Sequence, residues 1–470
     1  MLRIFRHFIP ASTIILVAIE VTLMSAAIYG YFLLSADHGK WVYMIEPAFG
    51  SFSVVLSTLA VIGMLAVGLY NYDVFLDYRV MTIKMMLVFT LITPILFIFT
   101  LFVNDLFSIS IDVWSFWYLK TVIVWLLCVL VTRAVFLNVA DLDAFKKRIF
   151  VLGTGEREAR IRQLVASHTN YYFNVSMFLA VQDRRTIVDI DRETEECSLS
   201  AIESLAELGA RYRVSEIVVA ADDRRGLPVH HLLHCKTQGI SVVDYLTFWE
   251  RENGKLDLDA LQPSWLIYSD GFRTGWLFNA IKRTFDIGVS MIFLLASLPL
   301  LIVTAILIKF ESPGPIFYCQ ERVGLNGRTF KVFKFRSMRI DAEKDGAQWA
   351  AERDPRVTRV GALIRKVRID ELPQIFNVLI GDMSFIGPRP ERPVFVEQLK
   401  EKIPFYNERH SVKPGISGWA QINYPYGASL EDAREKLAYD LYYVKNRGLF
   451  LDLIVLIQTV RVILWPEGAR

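Results

Sequence analysis

The sequence has few cysteines and lacks several motifs that mark large classes of enzymes. Its four cysteines lie far apart and form no Cys-x-x-Cys pair, which argues against a disulfide framework and a zinc ribbon. It has no Walker glycine loop, which excludes a P-loop nucleoside triphosphatase. It also has no Tyr-x-x-x-Lys pair, which argues against a nucleotide-sugar epimerase or dehydratase.

Charged residues are scarce and apolar runs are long. Of the 470 residues, 53% are hydrophobic and 21% are charged, and the mean hydropathy is +0.34. This composition predicts that a membrane holds part of the chain. The first apolar run is too long for a signal peptide, contains Glu20 and has no persuasive small-residue cleavage site, so we interpret it as a helix. Four runs approach the ~20 residues that a bilayer core requires: residues 13–34, 51–70, 81–103 and 114–137.

Lysine and arginine flank these runs unevenly. Arg3 and Arg6 precede the first run and the basic residues 146–148 follow the fourth, whereas the loop 104–112 has neither lysine nor arginine. The positive-inside rule therefore places both ends of a four-helix transmembrane bundle, residues 1–145, in the cytoplasm. Some charged residues lie within or near the runs, where they either mark a transport path or, as we favour, snorkel to the interface or pair inside the bundle: Glu20, Lys84, Lys120 and Arg133.

Strands and helices alternate after the bundle, over residues 146–265. Residues 148–164 are typical of an apolar strand, a glycine turn and an amphipathic helix, so we expect a Rossmann-like α/β domain. Gly153 and Gly155 could hold a nucleotide phosphate at the start of that helix. Glu158, however, stands where the third glycine of a dinucleotide fingerprint belongs, which favours a purely structural module.

A fifth apolar run, about residues 283–310, is interrupted near its centre by Ser297 and Pro299. Basic residues flank it on both sides: Lys282, Arg283 and Lys309. This pattern predicts a re-entrant helix that bends at Ser297 and Pro299 and returns to the cytoplasmic face. The alternative is a kinked helix that spans the membrane.

The segment after this run is basic and rich in aromatic residues. From Arg322 to Arg368 it holds thirteen Lys and Arg against five Asp and Glu, which indicates an anionic ligand. Such a surface could bind nucleic acid, but the neighbouring membrane helix favours a polyprenyl phosphate or phospholipid together with a soluble pyrophosphate compound. We therefore expect no nucleic-acid partner.

Two adjacent carboxylates follow this segment, Asp370 and Glu371 in the stretch RIDELPQ. Asp370 could simply cap a helix through IFNVLI, with Pro373 tolerated in its first turn. The pair could also carry out chemistry, because an ionised carboxylate can attack phosphorus once the surrounding charge is neutralised.

Four motifs in order carry a family resemblance: SPGPIFYCQERVGLNGRTFKVFKFRSM, RKVRIDELPQIFNVLIGDMSFIGPRP, KPGISGWAQIN and DLYYVKN. Over residues 276–470 the chain resembles the bacterial sugar transferases, which are monotopic polyprenyl-phosphate glycosyl-1-phosphate transferases. The upstream architecture is similar to the long form that starts exopolysaccharide or O-antigen synthesis. The resemblance implies transfer of a sugar 1-phosphate from a UDP-sugar to undecaprenyl phosphate, with release of UMP.

The resemblance also implies a mainly α catalytic domain in a mixed, multi-pass protein of the bacterial inner membrane, with the Rossmann-like and catalytic domains facing the cytoplasm. It suggests Mg²⁺ as a cofactor, membrane lipid as a partner and a homodimer. Glucose and galactose are the leading sugars, ahead of N-acetylated ones.

Individual residues receive roles from the same resemblance. Asp370 is expected to be the nucleophile that carries a covalent phosphosugar, and Glu371 to handle the metal or a proton, so both are candidate Mg²⁺ ligands. Arg368 and Lys413 depart from the family, in which a small polar residue and an arginine are usual. The residues expected to bind substrate are Lys334, Arg336, Arg365, Arg389 and Asp440.

Two other functions stay open. A membrane-bound glycosyltransferase could hold a metal with Asp257 and Asp259, and would release UDP in place of UMP. A non-catalytic, nucleotide-sensing membrane protein would leave Asp370 dispensable. The last apolar segment, residues 448–465, predicts either a helix in the membrane interface or a packed core helix.

Overall fold

A computed structural model gives the architecture of the chain. It contains two compact units, one reaching Glu252 and one running from Asn253 onward. The residues that the structure describes are 2–4, 7–9, 11–35, 41–70, 81–86, 88–89, 93, 123–135, 146–167, 173–183, 186–189, 205–272, 275–339, 342, 355–425, 427 and 429–464.

The first unit begins with a small sheet and apolar helices. Helix α1 buries one stripe of side chains at helical spacing, Leu16, Glu20, Met24 and Ile28, and packs along α2. The elements are β1 (Leu2–Ile4), β2 (His7–Ile9), α1 (Ala11–Ser35), α2 (Trp41–Ala66) and α3 (Ile123–Val135).

A buried ion pair joins α1 to α3. Arg133 Nε donates to Glu20 Oε1 at 3.1 Å, and Arg133 Nη1 donates to the Leu69 carbonyl at 2.9 Å. The Tyr70 hydroxyl donates to the other Glu20 oxygen. The prediction that charges inside the bundle pair with one another is confirmed for Glu20 and Arg133. Much of the predicted third and fourth spans lies outside the described residues, so the four-helix bundle stays a prediction.

A five-stranded sheet forms the rest of the first unit. Its strand order is β5-β4-β3-β6-β7, and neighbouring strands are parallel except β4 with β5. This is the alternating, largely parallel arrangement that the sequence predicts. The strands are β3 (Lys147–Leu152), β4 (Phe173–Asp183), β5 (Thr186–Asp189), β6 (Glu216–Val219) and β7 (Ser241–Asp244). The helices are α4 (Glu156–Ser167), α5 (Leu205–Arg211), α6 (Val229–Thr237) and α7 (Tyr245–Asn253).

The glycine turn after β3 is closed by a carboxylate of the chain itself. Asp222 accepts the backbone N–H of Glu156 at 2.7 Å and that of Arg157 at 3.3 Å, in the first turn of α4. Gly155 has φ 118°, which side-chain-bearing residues rarely adopt, and a Cβ there would lie 2.1 Å from the Asp222 carboxylate, so the position favours glycine. Asp222 thus takes the position where a Rossmann loop holds a phosphate, which supports the structural interpretation of this domain.

The second unit is mainly helical. A long apolar helix, α9, leads into an antiparallel hairpin of β8 and β9, and β10 pairs in parallel with β11. Its helices are α8 (Pro263–Tyr268), α9 (Trp276–Glu311), α10 (Arg359–Lys366), α11 (Gln374–Ile380), α12 (Pro393–Lys402), α13 (Trp419–Asn423), α14 (Leu430–Asn446) and α15 (Leu449–Leu464). Its strands are β8 (Phe317–Val323), β9 (Thr329–Phe335), β10 (Ser384–Ile386) and β11 (Gly415–Ser417).

Two helices in the described part of the chain are long and apolar enough to span a membrane, α1 and α9. Helix α9 runs on through Pro299, and the Ser297 hydroxyl donates to the Phe293 carbonyl at 2.7 Å. In α15, Leu451, Asp452 and Val455 are buried, so this face of the helix is packed against the unit.

Candidate active site

Asp370 and Glu371 lie in a short 3₁₀ turn, Ile369–Glu371, between α10 and α11. Pro373 occupies the N-cap position of α11, so the sequence interpretation of Asp370 as a helix cap is wrong. The neighbours of the pair, Ile369 and Leu372, pack in one apolar cluster with Leu301 and Ile308 of α9 and with residues of β9 and α10. The carboxylates are therefore held beside the second half of the long apolar helix.

The Glu371 carboxylate faces three cations. Lys334 Nζ lies 3.2 Å and Arg389 Nη2 lies 2.5 Å from Oε1, and Arg368 Nη1 lies 3.8 Å from Oε2. Burial by itself would raise the pKa of Glu371, but the charges of Arg389 and Lys334 hold that pKa well below its usual range. Glu371 is thus a fixed, neutralised anion.

Asp370 has a different environment although it is the next residue. Among the described residues, its carboxylate makes no hydrogen bond or ion pair. Burial and the adjacent charge of Glu371 raise the pKa of Asp370 to about 6, against the opposing charges of Lys334, Arg365 and Arg389. The side chain is ionised at neutral pH and uncommitted, which are the properties that a carboxylate nucleophile needs.

Lys334 is positioned by a buried amide that connects its strand to the helix after the pair. Asn377 Oδ1 accepts the Phe333 N–H at 2.9 Å, and Asn377 Nδ2 donates to the Lys331 carbonyl at 2.7 Å. Burial lowers the pKa of Lys334. Sequence reasoning missed Asn377, and the signal that could have found it is an amide on the apolar face of a helix, which must find partners when buried.

Arg389 is positioned through the backbone of its own loop. Arg409 Nη2 donates to the Arg389 carbonyl at 2.9 Å, and Arg322 Nη1 donates to the Pro390 carbonyl at 3.1 Å. Asp440 accepts two bonds from Arg409, at 2.7 and 3.0 Å. The acidic residue that was expected to bind substrate is therefore the partner of Arg409, and its bonds are not directed at Asp370 or Glu371.

Arg336 and Arg365 have different surroundings. Arg336 donates to the carbonyls of Ser312 and Pro313, at 2.8 and 3.0 Å, and so fixes the turn after α9. Arg365 lies in the last turn of α10 and its charge acts on Asp370. Of the residues predicted for the site, the structure brings together Asp370, Glu371, Lys334, Arg365 and Arg389.

The fit of a metal ion depends on Asp370. The described residues contain no group of three or more His, Cys, Asp or Glu that could hold a metal. Mg²⁺ is often held by one or two carboxylates, with substrate phosphates and waters supplying its other ligands. The uncommitted oxygens of Asp370 fit this mode, and those of Glu371, already bound to cations, fit it less well.

Comparisons with known proteins agree on one family. A family model described as "Bacterial sugar transferase" matches residues 277–466. The "UDP-N-acetylgalactosamine-undecaprenyl-phosphate N-acetylgalactosaminephosphotransferase" of Aeromonas hydrophila is 45% identical over 265 residues, which are 56% of this chain and 62% of that protein.

Two further relatives match shorter parts of the chain. The "Putative undecaprenyl-phosphate N-acetylgalactosaminyl 1-phosphate transferase" of Bacillus subtilis is 61% identical over 130 residues, covering 28% of this chain and 73% of that protein. The "UDP-glucose:undecaprenyl-phosphate glucose-1-phosphate transferase" of Escherichia coli is 41% identical over 182 residues, covering 38% of this chain and 39% of that protein. The chain therefore spans less than two thirds of the Aeromonas and Escherichia relatives.

Proposed function

The chain belongs to the bacterial sugar transferase family, and from this premise we propose that it transfers a sugar 1-phosphate from a UDP-sugar to undecaprenyl phosphate, releasing UMP. The relatives from A. hydrophila and E. coli are both named for undecaprenyl phosphate. The observation that carries the proposal is the division within the acidic pair. Glu371 is neutralised by cations, whereas Asp370 is ionised and free to react.

Asp370 attacks the β-phosphorus of the UDP-sugar in the proposed reaction. A bond forms between a carboxylate oxygen and phosphorus, the bond from phosphorus to the bridging oxygen breaks, and UMP leaves with that oxygen. The phosphate oxygen of undecaprenyl phosphate then attacks the same phosphorus and frees the Asp370 carboxylate. Because the two anionic substrates react in turn, their mutual repulsion does not raise the activation barrier of either step.

The charges around the pair suit a diphosphate. Four cations, Lys334, Arg365, Arg368 and Arg389, face two carboxylates, which leaves an excess of positive charge. Arginine forks match phosphate oxygens well. We propose Mg²⁺ as the cofactor, held by Asp370 and the substrate phosphates with a lesser part for Glu371, where it would supply further neutralisation of the diphosphate.

The site of action is proposed to be the cytoplasmic face of the bacterial inner membrane. Helix α9 has 36 residues, which corresponds to about 54 Å at 1.5 Å per residue, far beyond the ~30 Å bilayer core. Its beginning and its end nevertheless both contact the same unit, through Lys282 to Asp452 and through Glu311 to the Val360 N–H. Because both ends contact the same unit, we propose that the helix enters the membrane and returns. The bend at Pro299 is part of this proposal, since the helix is continuous there.

The described pieces of the predicted spans support a bundle that anchors the chain as a multi-pass protein. Glu20 near the start of the first run, Tyr70 at the end of the second and Arg133 near the end of the fourth are in mutual contact. Three such ends meet when successive helices cross in opposite directions. We further propose a homodimer and contact with membrane lipid as part of this arrangement.

Helix α9 can be tested directly by cysteine labelling in intact cells, at positions near Gly275 and Asn326. Both positions should be protected from an impermeant reagent. Labelling near Asn326 alone would show that α9 spans the membrane.

The activity is tested with purified protein, a polyprenyl phosphate and a panel of UDP-sugars. UMP should be released only when donor and enzyme are both present. UDP-N-acetylgalactosamine stands first in the panel because the B. subtilis relative named for that sugar is 61% identical over 130 residues, against 41% over 182 residues for the E. coli relative named for glucose. The family resemblance alone places glucose and galactose ahead of the N-acetylated sugars. The panel thus decides the sugar.

The competing functions make different predictions in the same assay. A glycosyltransferase would release UDP, and a sensor would release neither nucleotide. The first is disfavoured because Asp257 accepts the N–H groups of Asp259 and Ala260, and Asp259 pairs with Arg434. The Asp257 and Asp259 carboxylates therefore already have structural partners.

A further inference from the structure

Arg368 has a backbone conformation that normally belongs to glycine. It follows the C-cap of α10, Val367, and has φ 56° and ψ 21°, in the left-handed region. Glycine, or sometimes asparagine, is preferred at this position because a Cβ is disfavoured there. Disfavoured backbone conformations cluster at active sites, and this one lies beside the acidic pair, so the side chain of Arg368 calls for an explanation.

The ion pair that Arg368 makes within the fold does not supply that explanation. Within the described ranges its side chain pairs with Glu371 alone, and at 3.8 Å this is too long for a hydrogen bond. Arg389 and Lys334 lie closer to the same carboxylate. A third, looser cation adds little to the neutralisation of Glu371.

Arg368 is also the most available of the three cations around Glu371. Its side chain is 36% exposed, against 28% for Arg389 and 18% for Lys334. Its backbone begins the 3₁₀ turn that carries Asp370, two residues further on. A long side chain at this position can approach a diphosphate that Asp370 attacks, and the planar fork of a guanidinium suits phosphate oxygens.

We propose that Arg368 leaves Glu371 and binds a phosphate oxygen of the UDP-sugar diphosphate, and that the disfavoured backbone is retained for this contact. The inference rests on the proposed function, because it takes the diphosphate donor from there. Arg368 then determines donor affinity and has no part in binding the lipid phosphate.

Four variants of the full-length protein separate the backbone from the guanidinium. Arg368→Gly and Arg368→Asn relax the backbone and remove the charge. Arg368→Ala removes the charge alone, and Arg368→Lys keeps a charge without the fork. The measurements are the melting temperature, UDP binding by calorimetry, and KM for the UDP-sugar and for the polyprenyl phosphate.

Arg213 provides a matched control in the other compact unit. It is an exposed arginine with φ 53° that follows α5, so it shares the positive φ of Arg368. Arg213→Gly should melt at or above the temperature of the wild type. Its UDP affinity and UMP release should not change.

The glycine and asparagine variants of Arg368 should also melt at or above the wild-type temperature. Their UDP affinity should fall, and their donor KM rise, on the order of tenfold or more, the effect expected for one charge-assisted hydrogen bond. The alanine variant should lose as much affinity, the lysine variant should recover part of it, and the KM for polyprenyl phosphate should stay constant.

Wild-type UDP affinity and donor KM in Arg368→Gly, or a change confined to the lipid phosphate, would overturn the inference. Release of UDP by the wild type would instead overturn the proposed function, whereas weaker UDP binding by Arg368→Gly would still assign Arg368 to the diphosphate.

Discussion

Two places in this chain look suited to an anion, and they differ in what the chain itself supplies. At the glycine turn after β3, the first amides of α4 bind the carboxylate of Asp222. At the 3₁₀ turn of the second unit, four cations face two carboxylates, and the carboxylate of Asp370 has no bonded partner among the residues described. The first place is complete without a ligand, and the second is not.

The difference shows that the balance of charges around a motif predicts an anion-binding site better than the motif alone. A helix N-terminus after a glycine turn binds phosphate readily, but a carboxylate from a neighbouring loop satisfies the same amides. At the second place, the carboxylates of the chain leave an excess of positive charge, and Asp370 stays ionised and without a bonded partner among the described residues. We therefore expect substitutions at the second place to have large effects on activity, and substitutions at the first place to have small effects on stability.

Asp370→Asn should have the largest effect. Turnover should fall by at least ~10³-fold, because an amide cannot attack phosphorus or carry the phosphosugar. UMP release measures the loss. Near-normal turnover in this variant would refute the assignment of the nucleophile.

The same variant should be more stable than the wild type at alkaline pH. The pKa of Asp370 is raised to about 6 in the folded protein, so its ionisation destabilises the fold as the pH rises from about 4 to about 6. The asparagine variant should therefore gain on the order of 1–3 kcal/mol at pH 8 and nothing below about pH 4. Thermal melts at the two pH values measure the difference.

Glu371→Gln should change the pH dependence of whatever activity remains. In the wild type, kcat should fall as the pH drops through about 6, when Asp370 becomes protonated. Without the charge of Glu371, the pKa of Asp370 falls and this decline should move to lower pH. Glu401→Gln, on an exposed part of α12, is the control. A decline that stays near pH 6 in Glu371→Gln would contradict the coupling.

Arg409 variants should show an intermediate effect through Arg389. Arg409→Lys keeps a charge beside Asp440 but cannot bond both to it and to the Arg389 carbonyl, so kcat/KM should fall roughly tenfold with little change in melting temperature. Arg409→Ala leaves Asp440 buried and unpaired, which costs about 3–5 kcal/mol. If both variants melt and turn over like the wild type, the carbonyl contact has no role in placing Arg389.

Asp222→Ala should have the smallest effect. Two amides of α4 lose their acceptor, which costs about 1 kcal/mol, and UMP release should not change. Asp223→Ala is the control, since Asp223 pairs with the highly exposed Arg225 and should contribute little. Loss of UMP release in a folded Asp222→Ala protein would show that the glycine turn is functional.

Periodicity and ordered motifs in the sequence predicted much of the fold and the centre of the site. The alternation after residue 146 predicted the parallel sheet, and the motif around Asp370 placed the acidic pair, because both depend on neighbours in the sequence. The closure of the glycine turn could not be predicted, since Asp222 is 66 residues from Glu156.

The supporting residues of the site were also beyond sequence reasoning. Arg409, Arg322 and Asn377 act on backbone carbonyls and amides that only the folded chain brings to them. Lys334 and Arg336 are two residues apart, and both were expected to bind substrate. Arg336, however, lies just past the end of β9 and turns to the carbonyls after α9.

The most direct test of the account is a donor-only experiment. Enzyme, Mg²⁺ and the UDP-sugar are mixed without any polyprenyl phosphate, and UMP is measured together with the mass of the protein. We expect one burst of UMP, at most equal to the amount of enzyme, and a phosphosugar on Asp370 that polyprenyl phosphate then removes. UMP that appears only after the lipid phosphate is added, with no change in protein mass, would contradict a covalent intermediate on Asp370.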